Sequence, residues 1–219
     1  MSYLGLPKTD KEGVPYLSYS QKKKWKTKNR DYIRQYFFGE KQDNPLLKVY
    51  GDFGHKVGES YENNDFSGWN KREAAFLKKL PAYDEFEREI KLQMDGFYML
   101  GFIDSNTAPD GYVKKILDYK TGDIDKGVEE YEAEDYDQTE IYSAALEQEF
   151  GQMPDESIVV LIGRVGNAFN GEELKLNRKH EIIQKPLSRE RIDEVKQNLQ
   201  ECAEEIADYY RVFNLLKEI

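Results

Sequence analysis

A single cysteine in 219 residues leaves no partner for an internal disulfide and no set of thiolates for a cysteine-bound metal cluster. That residue, Cys202, falls on the apolar side of a helical pattern, where a small buried side chain is expected. No run approaches the roughly 18 apolar residues that span a bilayer. The opening MSYLGLPKTDKEG has neither the charged nor the apolar region of a secretory leader. An intracellular, cytoplasmic protein with no membrane partner is therefore expected. Excess positive charge is missing as well: 42 acidic against 32 basic side chains give a net charge of −10. That balance argues against a protein that coats nucleic acid through bulk electrostatics. It does not exclude a local site, because a pocket built from carboxylates is acidic until a divalent cation neutralises it.

Aromatic residues are plentiful, with 16 Tyr and 11 Phe, enough apolar bulk for a folded core. The length suits one domain, residues 1–219, divided into a helical part (1–80), a central part (81–165), and a hairpin with a closing helix (166–219). Ser18 or Ser20 can cap a helix through QKKKWKTKNRDYIRQYFF that stops near Gly39. Further helices are expected over Gly51 to Tyr61 and, between the Asn70 cap and the Pro81 stop, over Lys71 to Leu80. Strand patterns follow at Phe86 to Gln93, Phe97 to Ile103 and Tyr112 to Tyr119, the first two joined by a turn at Met94-Asp95-Gly96. An acidic loop from Gly122 to Asp135 leads to a helix over Tyr136 to Phe150, then a buried strand over Ile158 to Val165. Asn167 to Gly171 reads as a turn, Glu173 to Gln184 as one or two strands, and Ser188 onward as a long amphipathic helix. The expected fold class is α/β, a mixed central sheet flanked by helices.

Chemistry concentrates in four segments: GDFGHKVGE, EREIKLQMDGFYMLGFID, ILDYKTG and QTEIY. Asp104 ends one expected strand and Asp118 lies near the end of the next, so neighbouring strands would let both carboxylates converge on one hard cation. Side chains alternate along a strand, which puts Asp118 and Lys120 on one face and turns Tyr119 toward the other. Gln138 and Tyr142 are one helical turn apart on a shared face. The basic run Lys22, Lys23, Lys24, Lys26, Lys28 and Arg30, with Trp25 among them, could contact phosphates and stack on a base, or could be a solvated helix face. Lys114 and Lys115 are weaker candidates.

In this order the four segments resemble the RecB-type nuclease domain of the PD-(D/E)XK superfamily, across roughly Gly51 to Leu146. That family has a helical His, a strand ending in Gly-x-x-Asp, a strand bearing Asp-x-Lys-Thr-Gly, and a helix with Gln-x-x-x-Tyr. The resemblance implies the restriction-endonuclease-like core and a Mg²⁺ or Mn²⁺ ion held by His55, Asp104, Asp118 and the backbone carbonyl of Tyr119. It implies that Lys120 positions or deprotonates the attacking water and stabilises developing charge, and that Gln138 and Tyr142 contact DNA or brace the catalytic strand. An imidazole ligand accepts Mn²⁺ more readily than Mg²⁺, so activity with Mn²⁺ should be comparable or better. The family's further acidic residue matches either Glu87 or Glu89, with Glu89 slightly preferred. CRISPR-associated relatives carry four cysteines around an iron–sulphur cluster; one cysteine here implies that no such cluster is present.

The activity so implied is metal-dependent hydrolysis of DNA, by an exonuclease working at ends or on single strands in recombination, repair or phage DNA processing. A recombination or strand-annealing protein is the expected partner class besides DNA. A structure- or sequence-specific endonuclease using the same site, and a non-catalytic scaffold binding DNA or protein, are the competing readings. No segment supplies an RNA-binding motif.

Overall fold

The computed structural model describes residues 3–41, 44–109, 111–133 and 135–218. A short strand β1 (Tyr16–Ser18) opens the fold, and Ser18 then caps α1 (Tyr19–Thr27), exchanging hydrogen bonds with Gln21 in a capping box. The expected long first helix is broken. Lys28 leaves the helical region (φ −143°, ψ 52°), and the chain continues as α2 (Asn29–Tyr32) and a π-helical turn at Ile33–Phe37. Helix α3 (Pro45–Glu62) starts earlier than its apolar pattern suggests, because Asn44 caps it and Pro45 supplies a preset first turn. Asn70 and Glu73 form the capping box of α4 (Lys71–Leu77).

The sheet is mixed. Its strands are β2 (Glu85–Gln93), β3 (Tyr98–Thr107), β4 (Lys115–Gly122), β5 (Glu156–Val165) and β6 (Lys175–Gln184), ordered β1-β3-β4-β5-β6 with β2 also on β3. β2 and β3 form an antiparallel hairpin whose turn uses Gly96 at φ +81°. β4 and β5 run parallel and β5 and β6 antiparallel. Residues 158–162 of β5, all apolar, are buried, as a central strand covered on both faces requires.

The acidic segment after Gly122 is not a loop. It contains α5 (Ile124–Glu132), capped by Asp123, whose Ile124, Val128 and Tyr131 pack on Val159, Leu161 and Ile183. Glu134 of that segment lies outside the described residues. Gly127 lets α5 approach: a Cβ there would stand 2.5 Å from the Leu161 side chain. Helix α6 (Gln138–Phe150) ends at Gly151 in the left-handed conformation, and Ser188 caps α7 (Arg189–Lys217).

Two apolar clusters divide the sheet's faces. Val57, Tyr61 and Leu77 of α3 and α4 pack on Leu117 and Tyr119 of β4, with Val160 of β5. On the other face Ile141 and Leu146 of α6 and Ile192, Val195, Leu199 and Ile206 of α7 join Ile103, Ile116 and Trp25. The α7 stripe leaves the body at its end, where Leu216 is 66% exposed. No helix among the described residues is long and apolar enough to cross a membrane.

Candidate active site

One edge of β3 is shared by two strands that do not meet. β1 pairs with residues 98–100, β4 pairs with 105–107, and Gly101 to Asp104 face a gap between them. Asp104 thus sits within β3, not at its end, and Asp118 likewise lies inside β4. The Asp104 carboxylate fills the place of the missing ladder bond by accepting the Tyr119 N–H at 2.7 Å. Ile103 packs in the cluster under α6 while Ser105 accepts the Tyr83 N–H on the α3 side, so alternation breaks at Asp104 and its carboxylate lies at the gap, where it feels both Asp118 and Lys120. Burial, then the charge of Asp118, push its carboxyl up to about 7, against the opposing pull of the Lys120 ammonium and the Tyr119 N–H.

Asp118 is 1% exposed and points to the α6 face. Its Oδ2 lies 2.5 Å from the Lys120 Nζ and 3.0 Å from the Tyr136 hydroxyl, while Oδ1 is buried with no hydrogen-bond partner among the described residues. Burial works against the charged form of Lys120, but Asp118 and Asp104 outweigh it and hold the ammonium above the usual lysine range. The side chain of Tyr119 turns away, stacks on Tyr61 with ring centres 4.6 Å apart, and donates to the Pro81 carbonyl at 2.7 Å. Only its backbone remains at the gap.

The Gln-x-x-x-Tyr pair belongs to the scaffold behind Asp118. The Gln138 amide bonds the Tyr142 hydroxyl, and its Oε1 lies 3.1 Å from the hydroxyl of Tyr136. Tyr142 is 4% exposed with its ring against Gly101 of β3, a packing contact that leaves little of the side chain for DNA.

Glu87 and Glu89 do not share surroundings. A left-handed backbone at Glu87 (φ +51°) interrupts the alternation opposite Asp104. Partial burial and the charge of Glu62 raise the Glu87 carboxyl, His55 lowers it, and Glu87 in turn raises Asp104. Glu89 is exposed and pairs with Lys91 at 3.4 Å. Both glutamates are exposed, but of the two it is Glu87, at the backbone break, whose charge acts on Asp104. His55 is exposed on α3 within the electrostatic reach of Glu87.

Among the described residues, no three His, Cys, Asp or Glu side chains gather around one point as a ready-made metal site, so His55 is not assembled with Asp104 and Asp118. The donors at the gap are the carboxylates of Asp104 and Asp118, the latter with its Oδ1 free of partners among the described residues, and the main-chain carbonyl of Tyr119. That set fits Mg²⁺, which keeps several waters and is usually held by one or two carboxylates together with substrate phosphates. An unpartnered buried carboxylate oxygen is costly, and a cation would satisfy it.

The model of the PD-(D/E)XK nuclease superfamily matches residues 66–213, more than half of the chain. The chain belongs to this superfamily. The match takes in Asp104, Asp118, Lys120, Gln138 and Tyr142 but begins after His55. Among solved structures, "Putative exonuclease" from Eubacterium rectale is similar at 15% identity and a TM-score of 0.50, over 94% of this chain and 87% of that one. The crystal structure of SSO0001 is also similar, at 15% identity and a TM-score of 0.43, over 89% and 77%. These likenesses concern the fold. No curated protein sequence gives a significant match.

The basic run of this nuclease-family chain is largely structural at its centre. Trp25 is 2% exposed, donates to Glu205 at 3.0 Å and packs edge-on against Tyr32 and Tyr209, so it cannot stack on a base. Lys22 is buried in an ion pair with Asp137, so its ammonium is already matched by a carboxylate. Lys24 bonds Gln35, and the exposed Lys23 and Lys26 pair with Glu130 and Glu205. Lys22, Lys23 and Lys26 line a cavity of about 640 Å³ together with Tyr19 and Tyr136, the latter hydrogen-bonded to Asp118. Sequence reasoning passed over Tyr136; its signal was its place two residues before Gln138, directly ahead of the helix.

Proposed function

We propose that the protein hydrolyses DNA phosphodiester bonds with Mg²⁺ or Mn²⁺, as an exonuclease working at ends or on single strands. The observation that carries this reading is the gap in the sheet, where Asp104, Asp118 and Lys120 are held together with the Asp118 Oδ1 unpartnered. Asp104 and Asp118, with the Tyr119 carbonyl, are the groups that would hold the ion. When bound, such an ion supplies Lewis-acid neutralisation of the scissile phosphate and activation of water.

The chain's own groups do the rest. Lys120 can turn its ammonium from Asp118 toward a phosphate oxygen and stabilise the charge that develops there. Glu87, at the mouth of the gap beside Asp104, can accept a hydrogen bond from water entering the site. Lys23, Lys24 and Lys26 are positioned to contact backbone phosphates on the α1 side, and Gln138 and Tyr142 act from within by holding the gap open. His55, exposed near Glu87, is in this reading a residue of the rim.

Exonuclease action is preferred over internal cutting because the similar fold from Eubacterium rectale carries that name. A role in recombination, repair or phage DNA processing, with a strand-annealing partner, follows from the RecB-type order of the motifs. The test is digestion of end-labelled linear DNA and covalently closed circular DNA, each single- and double-stranded, and of end-labelled RNA, in Mg²⁺, Mn²⁺ or EDTA. Metal-dependent loss of linear DNA alone supports the exonuclease; cutting of closed circles replaces it with an endonuclease; RNA cleavage without DNA cleavage overturns the substrate.

A further inference from the structure

Two donors approach Asp118, and both reach the same oxygen. The Lys120 Nζ and the Tyr136 hydroxyl stand 2.5 Å and 3.0 Å from Oδ2, leaving Oδ1 bare. Lys120 is a long, rotatable side chain whose ammonium is needed at the substrate in the nuclease reading. Tyr136 is fixed: it is 3% exposed and held edge-on between the rings of Tyr19 and Tyr131, with centres 5.6 Å and 4.8 Å away. The chain around it is fixed too. Lys185, 5% exposed, donates to the carbonyls of Tyr131 and Ala133 at 3.0 Å and 3.3 Å, and its charge lies 5.4 Å from the centre of the Tyr136 ring.

We infer that Tyr136 is a positioning residue that sets the rotation of the Asp118 carboxylate, so that Oδ1 is presented to the divalent cation when Lys120 leaves for the substrate. The inference rests on the nuclease reading of the site. A tyrosine has one hydroxyl proton, and Tyr136 has two acceptors in reach, Asp118 Oδ2 and Gln138 Oε1 at 3.1 Å. The charged carboxylate is the stronger acceptor, so the proton goes to Asp118. Turning the Gln138 amide over keeps the same contacts and gives each group one role: Tyr142 donates to Gln138, Gln138 to Tyr136, and Tyr136 to Asp118. The Gln-x-x-x-Tyr pair then acts on the metal carboxylate through Tyr136, without touching DNA.

The test measures Mn²⁺ binding to the full-length protein by electron paramagnetic resonance, without DNA, for wild type, Tyr136→Phe, Asp118→Ala and a variant with p-aminophenylalanine at position 136. Thermal unfolding and the Mn²⁺ dependence of DNA cleavage are followed in parallel. Hydrogen bonds behind a metal ligand are typically worth about 10- to 100-fold in affinity, so Tyr136→Phe should weaken Mn²⁺ binding and raise its half-saturating concentration by about that factor. Cleavage should recover at saturating Mn²⁺, and p-aminophenylalanine, which restores a donor on the same ring, should restore affinity. Unchanged Mn²⁺ affinity in Tyr136→Phe, with Asp118→Ala abolishing binding, overturns the role of Tyr136 and leaves the nuclease site standing. Equal weakening by both position-136 variants also overturns it, since the ring and not the donor would then matter. Failure of the wild type to bind Mn²⁺ removes the nuclease reading and the inference with it.

Discussion

The ring of Tyr142 lies so close over Gly101 that a Cβ added there would stand 2.6 Å from its Cε1 and 3.2 Å from the Ile90 Cδ1. The glycine of the Gly-x-x-Asp segment and the tyrosine of Gln-x-x-x-Tyr are therefore two halves of one contact that positions β3 at the gap. Gly101→Ala should cost about 1–3 kcal/mol by overpacking. Urea unfolding of Gly101→Ala in the wild-type and Tyr142→Leu backgrounds checks this. A smaller cost in the second background is expected, because the shorter side chain vacates the space.

Lys22 and Lys26 are one helical turn apart, yet they should behave differently. Lys22→Met leaves Asp137 buried without its cation and should cost about 3–5 kcal/mol. Lys26→Ala, at an exposed pair, should cost less than about 1 kcal/mol. Chemical denaturation of the two variants distinguishes a structural lysine from a surface one.

If the outer lysines meet phosphates, replacing Lys23, Lys24 and Lys26 together by Ala should reduce the slope of log affinity against log salt by about 1–3. The unfolding midpoint should scarcely move. Fluorescence anisotropy with a DNA end, in the Asp118→Ala background over a range of salt, gives the slope. An unchanged slope assigns this helix face to solvent.

The Tyr83 hydroxyl donates to Glu156 at 2.6 Å and, ahead of Lys115, holds that carboxyl below its ordinary range. A depressed folded-state value means stability that is present above the unfolded value, near 4.5, and lost as pH falls through the folded one. Tyr83→Phe should therefore destabilise the protein most at neutral pH, by about 1–2 kcal/mol. The difference should shrink toward pH 3, as paired denaturation curves at pH 7 and pH 3 would show.

Much of this arrangement is legible in the chain. Caps are local chemistry, so Ser18, Asn70 and Ser188 mark helix starts correctly. The alternation of β4 separates Asp118 and Lys120 from Tyr119 because that strand is regular. Tertiary context decided the rest. α5 was hidden by its acidic residues, although Asp123 and the spacing of Ile124, Val128 and Tyr131 marked it. Lys22 reads as a surface cation until Asp137, 115 positions away, is folded against it. Alternation could not separate Glu87 from Glu89, since the left-handed residue that does so is not a glycine and carries no sequence signal. The gap itself lies between β4 and β1, three residues too short to show an alternation of their own, which pair with β3 only in the folded chain.

The most direct test of the central claim is cleavage of end-labelled DNA in Mn²⁺ by the wild type, Asp118→Ala and Lys120→Ala, each verified as folded. The gap-centred site predicts cleavage by the wild type that EDTA abolishes, none by Asp118→Ala, and a loss of about 10²–10³ in rate for Lys120→Ala. Undiminished cleavage by either variant, or a wild type that binds Mn²⁺ and DNA yet cleaves nothing, would contradict it.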